Sequence, residues 1–330
     1  MATPALRCFA AAALLLQAAA VAAAPFAYIT NQASHDVSVV DLASDRVVAT
    51  VPVGRSPAGV AVAGRTGRVF VSNPDSKTIS VIDMQRRQVV DTWPAGSGPL
   101  GIAVSADGAR LFVADWYTNR LLVYDTQAAR AEPVIALGRA PAGVAVLGNG
   151  PTVFVAERDD DSVAVVDSAA QRVRARVAVG SHPFALLHDA ARQRVYALNV
   201  QSNDVTVLDV RDLDRPTVLA TVAVGKAPYG AALAAGGRLL YVTNQHDDSV
   251  SVIDADTLQV QRTLSGFGYP EGVAAFGDKV YVVNWMDDNL SVLDARSGRL
   301  LATVATGRNS RGFGDFIGET ISTPSTIPTP

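Results

Sequence analysis

An all-β fold, a closed ring of seven four-stranded antiparallel blades, is what this 330-residue sequence predicts. Three observations predict it. A fourteen-residue pattern occurs seven times, running from an aromatic residue to an aspartate: Tyr28 to Asp41, Phe70 to Asp83, Phe112 to Asp125, Phe154 to Asp167, Tyr196 to Asp209, Tyr241 to Asp254 and Tyr281 to Asp294. The aspartates are spaced by 42, 42, 42, 42, 45 and 40 residues, close to the period of a four-stranded blade. Each copy joins two β-favouring runs through a turn rich in Asn, Asp and Ser, as in Tyr241-Val-Thr-Asn244 and Val250-Ser-Val-Ile253, and so reads as a hairpin. The fold is a seven-bladed β-propeller.

The remaining strands follow in order. After each aspartate comes an outer strand, such as Arg46-Val-Val-Ala-Thr-Val-Pro-Val53. A Gly-x-x-Pro crossing then leads to the innermost strand of the next blade, as at Gly54-Arg-Ser-Pro57, Gly96-Ser-Gly-Pro99 and Gly225-Lys-Ala-Pro228. Glycine allows an unusual backbone angle, and proline sets φ where no ladder donor is required, so both suit a tight crossing. One crossing, Gly266-Phe-Gly-Tyr-Pro270, is a residue longer, and three extra residues near 211–216 account for the spacing of 45. The first repeat starts at its second strand. Its inner strand is expected from the far end of the chain, at Arg311-Gly-Phe-Gly-Asp-Phe-Ile317, which closes the ring and removes exposed edges.

Outside the repeats, residues 1–24 read as a cleaved signal peptide. Arg7 is followed by an apolar run and by Ala20-Val-Ala-Ala-Ala24, with cleavage expected after Ala23. Cys8, the one cysteine, leaves with that segment, so disulfide, thiolate and c-type haem chemistry are excluded from the mature chain. The expected location is the periplasm or the exterior. Residues 25–318 form the propeller, and 319–330, rich in Thr, Pro and Ser, are expected to be a disordered tail. Charged residues make up 18% and the net charge is −3, which signals neither disorder nor a strongly charged partner.

Tyr28-Ile-Thr-Asn31, Tyr241-Val-Thr-Asn244 and Tyr281-Val-Val-Asn284, each followed by a Ser-Val-x-Asp ending, resemble the YVTN-repeat β-propeller family. Gly-x-x-Pro-x-Gly at 54–59 and 225–230 matches the same repeat. The departures are Asp115 and Glu157 at the Asn position, and Ser310 in place of the last crossing proline. The resemblance implies an exported seven-bladed propeller. It does not imply one activity, since relatives resemble lactonases, redox subunits, surface-layer proteins and nucleic-acid binders, and fold is not function.

In a four-stranded blade the Asn-containing turn and the crossing lie on the same face, and a site is expected among those loops. The position after the crossing proline holds Ala58, Leu100, Ala142, Phe184, Tyr229, Glu271 and, in the last copy, Arg311. The position after the aromatic strand holds Gln32, Pro74, Trp116, Arg158, Val200, Gln245 and Trp285. Trp116, Arg158, Phe184, Tyr229, Gln245, Glu271, Trp285 and Arg311 are therefore the candidate ligand-binding set, aromatic walls with a few charges. The competing reading is loop packing, with Glu271 and Arg311 paired across neighbouring blades.

Other groups on this face point less sharply. His182 and His246, with Glu271, are weak candidates for a borderline metal. The acidic turns 159–161, 247–248 and 287–288 lack calcium-loop spacing and read as turn formers. Arg55, Arg139, Lys226 and Arg308 make a partial basic ring, but the same face carries the acidic turns, so nucleic acid is not the expected partner. No cofactor, dinucleotide loop or G-x-S-x-G elbow is indicated. The expected function is non-enzymatic binding of a small molecule or a periplasmic protein through the loop face, by a monomer without a stable membrane span. The alternatives are a lactonase-like hydrolase and an accessory subunit of a periplasmic quinoprotein or cytochrome redox system.

Overall fold

A computed structural model describes residues 25–319; the expected signal peptide and nearly all of the expected tail lie outside the described residues. The seven sheets are antiparallel and arranged as seven blades, six of them entered at the inner strand and left at the outer one, and the first entered at its second strand. Blade 6 is typical, with strands Pro228–Ala234, Leu239–Asn244, Ser249–Asp254 and Val260–Ser265. No α-helix occurs among the described residues, and none there is long and apolar enough to cross a membrane.

Burial explains why the second and third strands read as near-continuous apolar runs. Each is covered on both faces by neighbouring blades, whereas outer strands such as Arg46–Pro52 are largely exposed. The repeat aromatics Tyr28, Phe70, Phe112, Phe154, Tyr196, Tyr241 and Tyr281 are among the largest fully buried side chains and fill the space between blades. The repeat aspartate caps the turn that follows it: Asp41 Oδ1 accepts the N–H groups of Ala43 (2.8 Å) and Ser44 (3.4 Å), and Asp254 does the same for Asp256 and Thr257. Blade 3 departs from the pattern. Its outer strand is split into Arg130–Ala131 and Ile135–Ala136 around Pro133, which has no N–H to donate.

Ring closure follows the expected route with one change. Ser310–Arg311 pairs with Thr30 and Asn31, and Ile317–Gly318 pairs with Phe26 and Ala27. Between them the chain leaves this ladder and reaches across to blade 2, where the carbonyls of Phe313 and Asp315 accept the N–H groups of Val60 (2.9 Å) and Val62 (3.1 Å). Gly314 makes this excursion possible: φ is +111°, and a Cβ there would stand 2.5 Å from the Val60 carbonyl oxygen. The closing strand is thus two short pairings around a bulge into the central channel.

The crossings are held by a recurring polar latch. The residue before the crossing proline, or Asn309 in the last crossing, adopts positive φ in six crossings, and its N–H is captured by the turn residue twenty-one to twenty-four positions earlier. His182 N–H donates to Asp161 Oδ1 (2.7 Å), Tyr269 N–H to Asp248 Oδ1 (3.0 Å) and Asn309 N–H to Asp288 Oδ1 (2.6 Å). The acceptor residue also has positive φ, which is why Asn and Asp recur there; His35 serves through Nδ1, 3.1 Å from Ser56 N. The crossing glycine is required by close approach: a Cβ on Gly225 would come within 2.6 Å of the buried Asn244 side chain.

Candidate functional site

Crossings and hairpin turns do share one face, and the candidate residues are carried there by the starts of inner strands and the ends of second strands. Glu271 opens the inner strand of blade 7, and its carbonyl accepts the Thr243 hydroxyl (2.6 Å), which ties blade 7 to blade 6. Its carboxylate is only 2% exposed. Arg311 donates to it from Nε (2.6 Å to Oε2) and Nη2 (3.3 Å to Oε1), while Gln245 Nε2 donates to Oε1 (2.8 Å). Arg311 Nη2 also reaches the Tyr229 hydroxyl at 2.5 Å. Four candidates from blades 6, 7 and 1 therefore form one polar cluster at the loop-face mouth of the channel. Its central feature is the cross-blade ion pair.

The electrostatics follow from burial. Burial pushes the Glu271 carboxyl up, with Arg311 and Gln245 pulling it back; burial likewise raises the Tyr229 phenol. Burial alone would lower Arg311, but Glu271 and Tyr229 more than offset it, so the guanidinium is held charged. Both Glu271 oxygens and Arg311 Nε and Nη2 face other members of the cluster, which helps a buried ion pair to be tolerated.

Aromatic rings surround the cluster. Phe184 packs on Tyr229 and Phe313, with centroids 4.6 and 4.9 Å away, and these three rings plug the channel. Trp116 lies 6.2 Å from Phe184, with the Arg158 guanidinium 5.5 Å from its ring centre. On the other side Trp285 stacks near Tyr269 (5.5 Å) and donates from Nε1 to Gln32 Oε1 (3.2 Å). His246 completes this line, with Nε2 3.1 Å from the Tyr269 hydroxyl. The result is an aromatic band across the loop face from blade 3 to blade 7. Its ends carry Tyr117, 74% exposed, and Met286, 62% exposed.

Not every candidate converges. His182 lies near Asp159 (Nε2 to Oδ1 3.8 Å), His246 lies against Tyr269, and Glu271 is occupied by Arg311 and Gln245. Among the described residues no group of three or more His, Cys, Asp or Glu side chains is arranged to hold a metal ion. The basic rim residues are matched to the turn of the following blade: Arg139 pairs with Asp160 (2.6 Å), Lys226 with Asp247 (3.6 Å), and Arg55 donates to the Asp75 carbonyl (3.0 Å). The two carboxylates that depart from the Asn position have donors of their own. Asp115 accepts Gly98 N–H (2.8 Å), and Glu157 accepts Gly138 N–H (2.6 Å) and Arg176 Nε (2.8 Å).

Three contributors escaped the sequence reading. Tyr269 takes the place before the crossing proline that Ser56, Ala140, His182 and Ala227 hold in other blades, and an aromatic residue there was the available signal. Gln32 became relevant only through its contact with Trp285. Phe313 was assigned to the closing strand, and only its flanking glycines hinted that it would leave the ladder.

A family model described as YNCE-like beta-propeller matches residues 61–152 and 148–316. No curated protein matches the chain. Among solved structures, hydrazine synthase of Kuenenia stuttgartiensis is similar at 19% identity, covering 87% of this chain and 99% of that one with a TM-score of 0.73. A functionally unknown protein from Desulfotomaculum acetoxidans is similar at 16% identity, covering 89% and 98%, with a TM-score of 0.74. Dihydro-heme d1 dehydrogenase NirN in complex with DHE is similar at 15% identity, covering 87% and 74%, with a TM-score of 0.66. At these identities the likeness is one of fold.

Proposed function

The chain belongs to the YNCE-like β-propeller family, and from that premise we propose that it is an exported binding module, with repeats of the YVTN type, that docks a protein partner through its loop face. The observation that carries this reading is the aromatic band whose ends, Tyr117 and Met286, project away from the chain while the polar cluster between them is closed on itself. Tyr, Trp, Met and Arg are the residues that dominate protein interfaces. A hydrolytic role for Glu271 fits this geometry poorly, since a general base must be reachable by substrate and this carboxylate is buried with both oxygens occupied. The neutralised rim likewise gives no sustained positive field for nucleic acid.

Export is supported by the basic residue, apolar run and small-residue site of residues 1–24. The mass of the protein recovered from cells tests it, and a mature chain starting at Ala24 is the expected result. For docking, a photo-crosslinking residue is placed at Tyr117 or Met286, and as a control at Phe276 on the opposite face, in cells that export the protein. The loop-face positions should give a discrete adduct with another exported protein and the control should not. Equal adducts from both faces, or none from the loop face, would refute loop-face docking.

A further inference from the structure

A large cavity lies on the other side of the aromatic plug. Below Phe313 the central channel opens into a cavity of about 640 Å³, within the range that suits a small-molecule ligand. Its walls are the lower halves of the inner strands, where mostly Gly, Ala, Val and Leu residues alternate with exposed backbone polar groups. Three lining residues are ionisable: His188, Asp315 and Glu319. No lysine or arginine among the described residues lines it. The His188 ring is stacked on Phe154 at 6.0 Å, with Nε2 covered and without a hydrogen-bond partner, and burial lowers its pKa so that the imidazole is neutral. Asp315 is different. The bulge of the closing strand places it among the lining residues, its backbone carbonyl is fixed by Val62 N–H, and its side chain is accessible, with no ion pair or hydrogen bond among the described residues.

From the small apolar side chains of the wall, the Asp315 carboxylate and the lack of lysine or arginine among the described lining residues, we propose that this cavity is a binding site for an organic monocation, an ammonium group on an apolar body, with Asp315 as its counter-ion. The apolar part of such a ligand would displace water from the Ala and Val side chains, and the ammonium would meet the Asp315 carboxylate, with Glu319 as a second acidic group in the lining. A small inorganic cation would use the charge but leave the apolar walls unused. Although water reaches Asp315, the surrounding blades push its carboxyl up, and an incoming cation would reverse that shift. The site lies on the opposite side of the plug from the docking band and stands or falls independently of it.

The test is calorimetric titration of the mature protein with hexylammonium, hexanol, hexanoate and calcium. Hexylammonium should bind saturably, and hexanol, hexanoate and calcium at least about tenfold more weakly, a difference of about 1.4 kcal/mol. Asp315→Asn should weaken hexylammonium by at least about tenfold, and Ala274→Phe, which fills the wall, should block it. In the unaltered protein, hexyltrimethylammonium, which has no N–H to couple, should protect Asp315 from carbodiimide coupling, a readout independent of whether either variant folds. The proposal is overturned by no saturable binding up to about 10 mM, by Asp315→Asn binding like the parent, by calcium binding as well as hexylammonium, or by no protection of Asp315.

Discussion

The two halves of the central channel are built from the same strands, yet they treat a carboxylate in opposite ways. On the loop-face side Glu271 is buried, paired with Arg311 and hydrogen-bonded by Gln245. On the far side Asp315 stands, without a partner among the described residues, beside a large cavity lined mostly by small side chains. The difference arises at the waist. There the second residue after most crossing prolines is glycine, and the inner strands approach so closely that a Cβ on Gly101 would lie 1.9 Å from the Ala142 carbonyl oxygen. Above the waist large side chains fill the narrow mouth, while below it small ones leave it empty. A repeat that is uniform in backbone can thus hold a closed polar cluster and an open cavity on one axis.

Arg311→Ala should break the contrast most severely. It leaves Glu271 buried without its counter-ion, and removal of one partner from a buried pair costs about 3–5 kcal/mol. Urea denaturation should show the midpoint fall at unchanged slope; a loss below about 1 kcal/mol would mean the cluster is not a closed unit. Gly101→Ala attacks the waist itself and should cost about 1–3 kcal/mol through overpacking against backbone. The same melts check it, and a neutral outcome would show that the inner strands can separate there.

Asp315→Asn should have the smallest effect and the opposite sign. Although water reaches it, enclosure by the surrounding blades raises the folded-state pKa of this carboxyl above its unfolded value, so the folded protein favours the protonated acid. The penalty is absent at acid pH and develops as pH rises through the unfolded and then the folded pKa. The variant should therefore match the parent in acid and become the more stable of the two as pH rises, levelling above the folded pKa. Stability curves at several pH values check this, and a variant that loses ground with rising pH would contradict it.

The legible part of the molecule is the part that repeats. Tyr28 and its six counterparts, the turn Asn and Asp residues, the capping aspartates and the crossing glycines each meet the same surroundings in every blade, so their periodicity alone reveals their roles. Residues that differ between blades were legible only as differences. Trp116, Phe184, Tyr229, Glu271 and Trp285 stood out because small or short side chains hold their places elsewhere, but the sequence could not say whether they face open space or each other. Glu271 and Arg311 are forty residues apart and meet only because the ring closes.

By itself, then, the sequence determined the blade, the number of blades, the loop face and the route of closure, because these follow from local hydrogen bonding and from side-chain alternation along a strand. Tertiary structure alone decided that the predicted face is occupied by its own side chains and that the open space lies at the other end. That outcome depends on the volumes of side chains meeting from six blades at one axis, and on a bulge in the closing segment stabilised by hydrogen bonds to Val60 and Val62. Neither is a property of any single stretch of chain.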